Sequence, residues 1–143
     1  LFLPKVFDEF LLASPNMQVT LLKSKLHRAQ VTGVHPDYSG SLSIDQDLLD
    51  AAGFLHHEKI LVGNITNGER FETYCIPAAR GSGEIALNGA AAHKGKVGDL
   101  LVILTFVSLN PDEAAVWEPK LVLVGKKNLS HEIISSPAPL SHD

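Results

Sequence analysis

Gly40 and Ser41 are the residues of this sequence best suited to do chemistry of their own, in the stretch HPDYSGSLSIDQ at 35–46. The serine hydroxyl can act as a nucleophile and later as a leaving group, and the glycine before it leaves its carbonyl open to attack. The stretch can also be an ordinary turn, because Pro, Asp, Ser and Gly are turn residues. In the alternative interpretation, the Gly40–Ser41 peptide bond is the substrate of a first, self-directed reaction. Ser39 and Ser43 lack a preceding glycine, so Ser41 is the favoured nucleophile.

The sequence offers few signatures of other kinds of site. Cys75 is the single cysteine, which excludes an internal disulfide framework and a thiolate-rich metal site. The seven histidines are scattered, with no HExxH spacing, and there is no GxxxxGK[ST] phosphate loop. We therefore expect no metal. The net charge of −4 argues against nucleic acid and anionic membranes as partners.

The chain of 143 residues suits one domain. Residues 1–16 are interpreted as an N-terminal extension of unknown role, with the domain beginning near Met17, the only methionine. A signal peptide is not expected there, because Asp8 and Glu9 interrupt the apolar residues and no basic segment precedes them. The domain is expected to span 17–126, followed by a loosely held polar tail at 127–143.

Many short strand-like runs and few helical ones predict a mainly β chain of the small closed-barrel class. Residues 43–54 predict a short helix, and the apolar run 100–109 predicts a buried strand that is too short to span a bilayer. Two strand-like runs flank Asn67-Gly68, which predicts a hairpin closed by a type I′ turn.

The run 19–32 predicts a long strand with an alternating pattern. On such a strand Lys23, Lys25 and His27 would share one face. A solvated edge face explains lysines in this position without any function.

Several motifs follow one another in a specific order: KLHRAQVT, YSGSLSIDQDLLDAAG, NITNGERFETY, NGAAAH, GD and PDEAAVWEPK. In this order and spacing they resemble the pyruvoyl-dependent aspartate alpha-decarboxylase family over residues 17–124. The resemblance implies a six-stranded double-psi β-barrel with short helices, assembled as a homotetramer with active sites at subunit interfaces. It also implies a cytoplasmic lyase that converts L-aspartate to β-alanine and CO2 for pantothenate synthesis.

The resemblance further implies how the cofactor is made. Ser41 attacks the Gly40 carbonyl, the peptide shifts to an ester, and the ester eliminates to dehydroalanine, which hydrolyses to a pyruvoyl group at position 41. Loss of the α-carboxylate needs an electron sink, and this carbonyl supplies it through an imine with the substrate, without pyridoxal phosphate or metal. The shift is uphill unless the backbone is strained or the oxyanion is stabilised.

Further roles are carried over by the resemblance alone. Tyr74 would return the proton, Thr73 would assist self-cleavage at Gly40, and cations would bind the two carboxylates of the substrate. The remaining positions carried over are the substrate-binding residues Arg70, Lys25, Asn88, Gly89, Ala90 and Ala91 and the pocket residues His27 and Tyr38. Each has a simpler alternative: Arg70 as a solvated hairpin residue, Tyr74 as a core aromatic, and Asn88-Gly89 as a turn.

Two features fit the resemblance imperfectly. Strand alternation puts Arg70 and Tyr74 on one face and Thr73 on the other, so one site needs either a bulge or a contribution from neighbouring subunits. Gly63 stands where many relatives carry a large aromatic residue. The alternatives in function are a non-catalytic β-barrel binding or assembly module, and a pyruvoyl decarboxylase for another acidic amino acid such as glutamate. Maturation can be spontaneous or can need an accessory protein.

Overall fold

The computed structural model describes residues 16–134, which form nine strands and two short helices. The strands are β1 (Val19–Gln30), β2 (Gly33–His35), β3 (Leu42–Asp45), β4 (Lys59–Asn64), β5 (Arg70–Ala78), β6 (Ile85–Asn88), β7 (Leu100–Leu109), β8 (Lys120–Val124) and β9 (His131–Ile134). The helices are α1 (Gln46–Ala52) and α2 (Pro111–Ala115), and 3-10 turns cover Gly89–Lys94 and Lys126–Asn128. The mainly β class with short helices is confirmed.

The strands of the described residues follow the order β2-β6-β3-β5-β4-β7-β1-β8-β9. The pairs β2–β6, β3–β5 and β1–β8 are parallel, and the other pairs are antiparallel. The pairing therefore gives nine strands in an open order, where six strands in a closed barrel were predicted. Strands as short as β2 and β9 are too short to produce a periodic pattern, so a sequence-based count misses them.

The core lies between the inner faces of these strands and α1. Asp45 caps α1 by accepting the Asp47 N–H, and Gly53 ends it in the left-handed conformation at φ 71°. These caps confirm the predicted helix. The largest fully buried apolar side chains are Leu26, Leu42, Ile44, Leu48, Leu49, Ile60, Ile85, Leu87, Leu101, Ile103, Val31 and Val62.

The burial of side chains along β1 follows the predicted alternation only in part. Lys25 and His27 stay half-buried, while their neighbours Ser24 and Leu26 are buried. A register shift against β7 between Leu22 and Ser24 interrupts the pattern at Lys23. The Lys23 ammonium instead pairs with Glu58 at 2.9 Å. Lys23 is thus in an ion pair with Glu58 and outside the regular β1–β7 register.

Strands β4 and β5 form the predicted hairpin, with Gly63 opposite Arg70. The predicted type I′ turn is wrong, because Gly68 has φ 81° but Asn67 does not have a positive φ. The loop is longer: the Asn64 N–H donates to the Glu69 carbonyl at 2.8 Å. The Asn64 side chain accepts the N–H groups of the next residues, which stabilises this wider turn in place of the two-residue one.

The loosely held tail predicted after Lys126 is wrong for residues 127–134. Asn128 is only 2% exposed, and its amide donates to the carbonyls of Gln30 at 2.7 Å and Gly83 at 2.8 Å. Strand β9 then pairs with β8. Buried hydrogen bonds of this kind leave no periodic signal in the sequence. The rest of the tail and residues 1–15 lie outside the described residues, and within 16–134 no helix is long and apolar enough to cross a membrane.

Candidate active site

The Gly40–Ser41 bond lies at a junction between an exposed loop and a buried strand. Residues 35–39 are exposed, whereas all four residues of β3 are buried. Strand β3 is held by β6 on one side and β5 on the other. The C-terminal side of the bond is therefore anchored in the sheet, while its N-terminal side is open to solvent.

The backbone is strained at this bond. Gly40 has φ 54°, and Ser41 follows with φ 94°. The other described non-glycine residues with positive φ lie between 57° and 69°, close to the left-handed well, so Ser41 is the outlier. A residue held in this region costs about 1–3 kcal/mol. This strain favours an amide-to-ester shift, because it raises the energy of the intact bond.

The Ser41 hydroxyl is buried and unpaired. Ser41 is 2% exposed, and its Oγ has no hydrogen-bond partner among residues 16–134. Leaving such a group unsatisfied costs about 1–3 kcal/mol, which is unusual for a merely structural serine. An orphaned oxygen beside a glycine carbonyl fits a group that is consumed in a reaction, and so fits a serine-derived pyruvoyl group.

Asn88 and Gly89 support the same bond from the end of β6. The Asn88 N–H donates to the Ser41 carbonyl at 3.0 Å, and its side-chain amide donates to Ser43 Oγ at 2.8 Å. Gly89 has φ 60°, and a β-carbon built on it would lie 2.7 Å from the Gly40 nitrogen and 2.9 Å from its Cα. Only glycine lets the backbone at Gly40 pack this closely.

A cavity of about 170 Å³ opens at Ser41, and we call it the cleavage pocket. Its lining residues are Gly40, Ser41, Phe71, Glu72, Thr73, Asn88, Ala90, Ala91 and Lys94. Six of these nine were predicted from the sequence as site residues. Phe71, Glu72 and Lys94 were not. Lys94 directly follows the matched motif NGAAAH, so reading that motif one residue further would have included it.

Thr73 and Tyr74 approach the bond from different sides of β5. Thr73 lines the cleavage pocket, whereas Tyr74 is on the outer face and 39% exposed. The Tyr74 hydroxyl still reaches the loop, because a β-carbon built on Gly40 would lie 3.6 Å from Tyr74 Oη. The His57 ring lies beside Tyr74, with ring centroids 6.2 Å apart.

The other predicted charged residues lie elsewhere on the chain. Lys25, His27 and Arg70 do not line the cleavage pocket, and we call these three residues the cationic face. Directly opposed residues of antiparallel strands share a face of the sheet. Two such rows cross β1, β7, β4 and β5: His27–Val102–Gly63–Arg70 and Lys25–Leu104–Leu61–Glu72.

The pairing of β4 with β5 is regular from Gly63–Arg70 to Lys59–Tyr74, so no bulge turns Arg70 towards Thr73. Four residues of strand separate Arg70 from Tyr74 by about 13 Å, and three strand spacings separate Lys25 from β5 by about 14 Å. The bulge considered from the sequence is excluded between these positions.

His27 lies on the cationic face in surroundings that disfavour its protonated form. Its burial, together with Lys25 and Arg28, lowers its pKa below the ordinary 6.5. Its Nδ1 is buried without a hydrogen-bond partner in the described part of the chain. At Gly63 in the same row, a built β-carbon would lie 3.0 Å from Val102 Cγ1, so the valine occupies the space next to the glycine.

Tyr38 lies on the approach to the bond, outside the cleavage pocket. It is 54% exposed, and its carbonyl accepts the Gly40 N–H at 2.8 Å. Its side chain lines a separate, open depression together with His35, Ser43 and Asn88. The structure therefore places Tyr38 in the loop before the bond, in contact with Gly40 through the main chain.

A larger cavity, of about 400 Å³, lies near α1 and is rich in carboxylates. Arg80 pairs with Asp47 and Asp50 at 2.7 Å, and the buried Asp45 accepts backbone N–H groups of α1 and of the loop at Gly81. These carboxylates stabilise the fold. Within residues 16–134 no group of three or more His, Cys, Asp or Glu could hold a metal ion. Burial raises the pKa of Cys75 to about 11, which makes it a poor nucleophile.

Comparison with known proteins agrees with the geometry around Ser41. The family model described as aspartate decarboxylase matches residues 17–131. The chain is 55% identical to the aspartate 1-decarboxylase of Ralstonia pickettii over 112 residues, which cover 78% of this chain and 93% of the relative. It is 52% identical to that of Bordetella avium over 122 residues, which cover 85% of this chain and all of the relative. The chain belongs to the aspartate decarboxylase family.

Proposed function

We propose that Ser41 of this chain becomes the pyruvoyl group with which the enzyme decarboxylates L-aspartate to β-alanine and CO2. The observation that carries the proposal is the combination at one residue of φ 94° and a buried hydroxyl without a partner. Strain raises the energy of the intact bond, and the free hydroxyl lies next to the carbonyl that it must attack. The enzyme is a lyase, and its product supplies pantothenate synthesis.

Self-cleavage draws on residues of the same chain. Asn88 holds the Ser41 carbonyl through its N–H, and Gly89 permits the close packing that fixes Gly40. Thr73, in the same pocket, is the residue we assign to hydrogen bonding at the Gly40 carbonyl during attack. After cleavage, β1 and β2 of the first fragment stay paired with β6, β7 and β8 of the second.

When present, the pyruvoyl group supplies the electron sink for loss of the α-carboxylate. Arg70 and Lys25 bind the carboxylates of the dianionic substrate, Arg70 through its planar guanidinium. Tyr74, whose hydroxyl reaches Gly40, donates the proton to the decarboxylated carbon. Ala90 and Ala91 shape the wall of the cleavage pocket, and His27 and Tyr38 border the site.

Arg70 and Lys25 serve this chemistry from a second copy of the chain. The cationic face carries partly exposed apolar residues between its charges, including Leu61, Val102 and Leu104. Phe106, further along β7, is 44% exposed. A second copy covers these side chains and brings its cations to the first copy's cleavage pocket. A homotetramer of double-psi barrels, as the family resemblance implies, has this arrangement.

We place the enzyme in the cytoplasm. Maturation is carried out by the chain itself or by an accessory protein that acts at the exposed loop 36–39. Purified enzyme is expected to give two fragments by denaturing mass spectrometry, divided between Gly40 and Ser41, with the larger carrying the pyruvoyl group. Labelled L-aspartate is expected to release CO2, and L-glutamate is the competing substrate in parallel.

The Ser41→Ala variant is expected to stay whole and to release no CO2, because it lacks both the nucleophile and the leaving group. Wild-type protein that releases CO2 from L-aspartate while its 40–41 bond is intact would contradict the proposal. An intact wild-type chain without turnover, in the presence of cell extract, would favour the binding-module alternative.

A further inference from the structure

Lys94 is the basic residue that lines the cleavage pocket in the described chain, and the family resemblance assigned it no role. It ends the 3-10 turn Gly89–Lys94, whose first residue, Gly89, packs against Gly40. Glu72 is the other charged residue of the lining, and the Lys59 ammonium lies 3.1 Å from its carboxylate. Lys94 thus contributes a basic residue to the lining of the pocket on the chain that carries the reacting bond.

The main chain of Lys94 is fixed firmly. Its carbonyl accepts the side-chain amide of Asn64 at 3.1 Å and that of Asn67 at 3.0 Å. Asn64 is itself 3% exposed and anchored to Asp99 at 2.9 Å. The base of the Lys94 side chain is therefore held in place by the β4–β5 loop.

The ammonium of Lys94 is held much more weakly. It pairs with Glu69 at 3.1 Å, and the two side chains are 43% and 47% exposed. A solvated pair of this kind contributes at most about 1 kcal/mol. Exchanging Glu69 for another carboxylate at the pocket therefore costs little.

We propose that Lys94 binds a carboxylate of the dicarboxylic substrate inside the cleavage pocket and leaves Glu69 when it does so. The inference rests on the proposed function and adds to it a substrate-binding cation supplied by the chain that carries the reacting group. Glu69 then acts as a competitor: it neutralises Lys94 in the empty site and is displaced by the substrate.

The test compares variants of the processed enzyme. Lys94→Met is expected to raise KM for L-aspartate about fivefold, with kcat within about twofold of wild type, because a half-exposed ion pair is removed. Glu69→Gln is expected to lower KM about twofold, since the competitor is gone. Lys96→Met, an exposed lysine outside the pocket, is the matched control and is expected to leave KM unchanged.

Succinate provides a second readout, because it has both carboxylates but no amine. Its Kd by titration calorimetry is expected to rise about fivefold in Lys94→Met and to return towards wild type in Lys94→Arg. If Lys94→Met and Glu69→Gln both raise KM, the pair is only a structural clamp and the proposal is overturned. An unchanged succinate Kd in Lys94→Met overturns it too. A wild-type enzyme that releases no CO2 would instead refute the proposed function.

Discussion

The cleavage pocket and the cationic face differ in what one chain can complete alone. In the cleavage pocket, three segments that are distant in sequence meet at Ser41: the 36–41 loop, β5 and the turn after β6. The strained bond, the unpaired hydroxyl and the closely packed glycine are all present. On the cationic face, Lys25 and Arg70 lie in neighbouring rows of an outer sheet surface. Neither cation lines the pocket.

This difference between the two regions corresponds to the two reactions of the enzyme, self-cleavage and turnover of the substrate. Self-cleavage needs a strained bond and a nucleophile, which the intrachain packing supplies. Turnover needs cations for a dianionic substrate, and we propose that two of these, Lys25 and Arg70, come from another copy of the chain. Changes to the pocket should therefore affect cleavage, and changes to the cationic face should affect turnover without affecting cleavage.

The largest expected difference between the effect on turnover and the effect on cleavage is at Arg70. Arg70→Ala is expected to be cleaved at the wild-type rate but to lose at least about 100-fold in kcat/KM, because a charge-assisted clamp on a carboxylate is removed. Mass spectrometry measures cleavage and CO2 release measures turnover. Arg80→Ala is the control, since Arg80 is exposed and its partners within residues 16–134 are Asp47 and Asp50. Uncleaved Arg70→Ala protein would show that the two regions are not separable in this way.

A smaller effect is expected at Gly89, which packs against Gly40 beside the cleavage pocket. Gly89→Ala is expected to slow cleavage about tenfold, because its β-carbon would push against the backbone of Gly40 and relax the strain at Ser41. The time course of the two fragments on denaturing gels measures the rate.

Gly53→Ala is the matched control for this effect. Gly53 also has a positive φ, 71°, but a built β-carbon would meet nothing within 4 Å. Both variants are expected to lose about 1–2 kcal/mol of stability from the backbone conformation alone. Equal cleavage rates in Gly89→Ala and Gly53→Ala would show that close packing at Gly40 plays no part in cleavage.

The smallest effect is expected at His27, where stability depends on pH. The pKa of folded His27 lies below 6.5, so the unfolded chain binds the proton more readily. Above pH 6.5, His27 is neutral in both states and does not lower the free energy of unfolding. As the pH falls through 6.5 towards the folded pKa, the unfolded chain takes up the proton first, so the free energy of unfolding decreases. In urea denaturation, the free energy of unfolding of His27→Gln is expected to decrease less over that pH range than that of the exposed control His93→Gln. An equal decline in both would contradict the burial of a neutral His27.

The sequence predicted the cleavage pocket better than the cationic face. The residue types at Gly40-Ser41 and the order of the motifs pointed to Ser41, Thr73, Asn88, Ala90 and Ala91, which the structure brings together. Strand alternation also predicted that Arg70 and Thr73 face opposite ways. What no local pattern could give was the φ of 94° at Ser41, since strain depends on packing against a distant turn.

The remaining differences also arise from tertiary contacts. The wide β4–β5 loop depends on the Asn64 side chain, and the ordered segment after Lys126 depends on Asn128 reaching Gln30 and Gly83. Secondary-structure propensities predict neither of these two contacts. Lys94 directly follows the matched motif, but its place in the pocket depends on the 3-10 turn that follows β6.

The proposal that the cleavage pocket of one copy works with the cationic face of another is tested most directly by complementation between two inactive variants. Ser41→Ala and Arg70→Ala chains carrying different affinity tags are co-expressed, and hybrid assemblies are purified through both tags. If the pocket of one copy uses the cationic face of another, the hybrids are expected to recover a substantial fraction of wild-type CO2 release, while each variant alone stays inactive. Hybrids that contain both chains, with the Arg70→Ala chain cleaved, and yet remain as inactive as their parents would contradict the account.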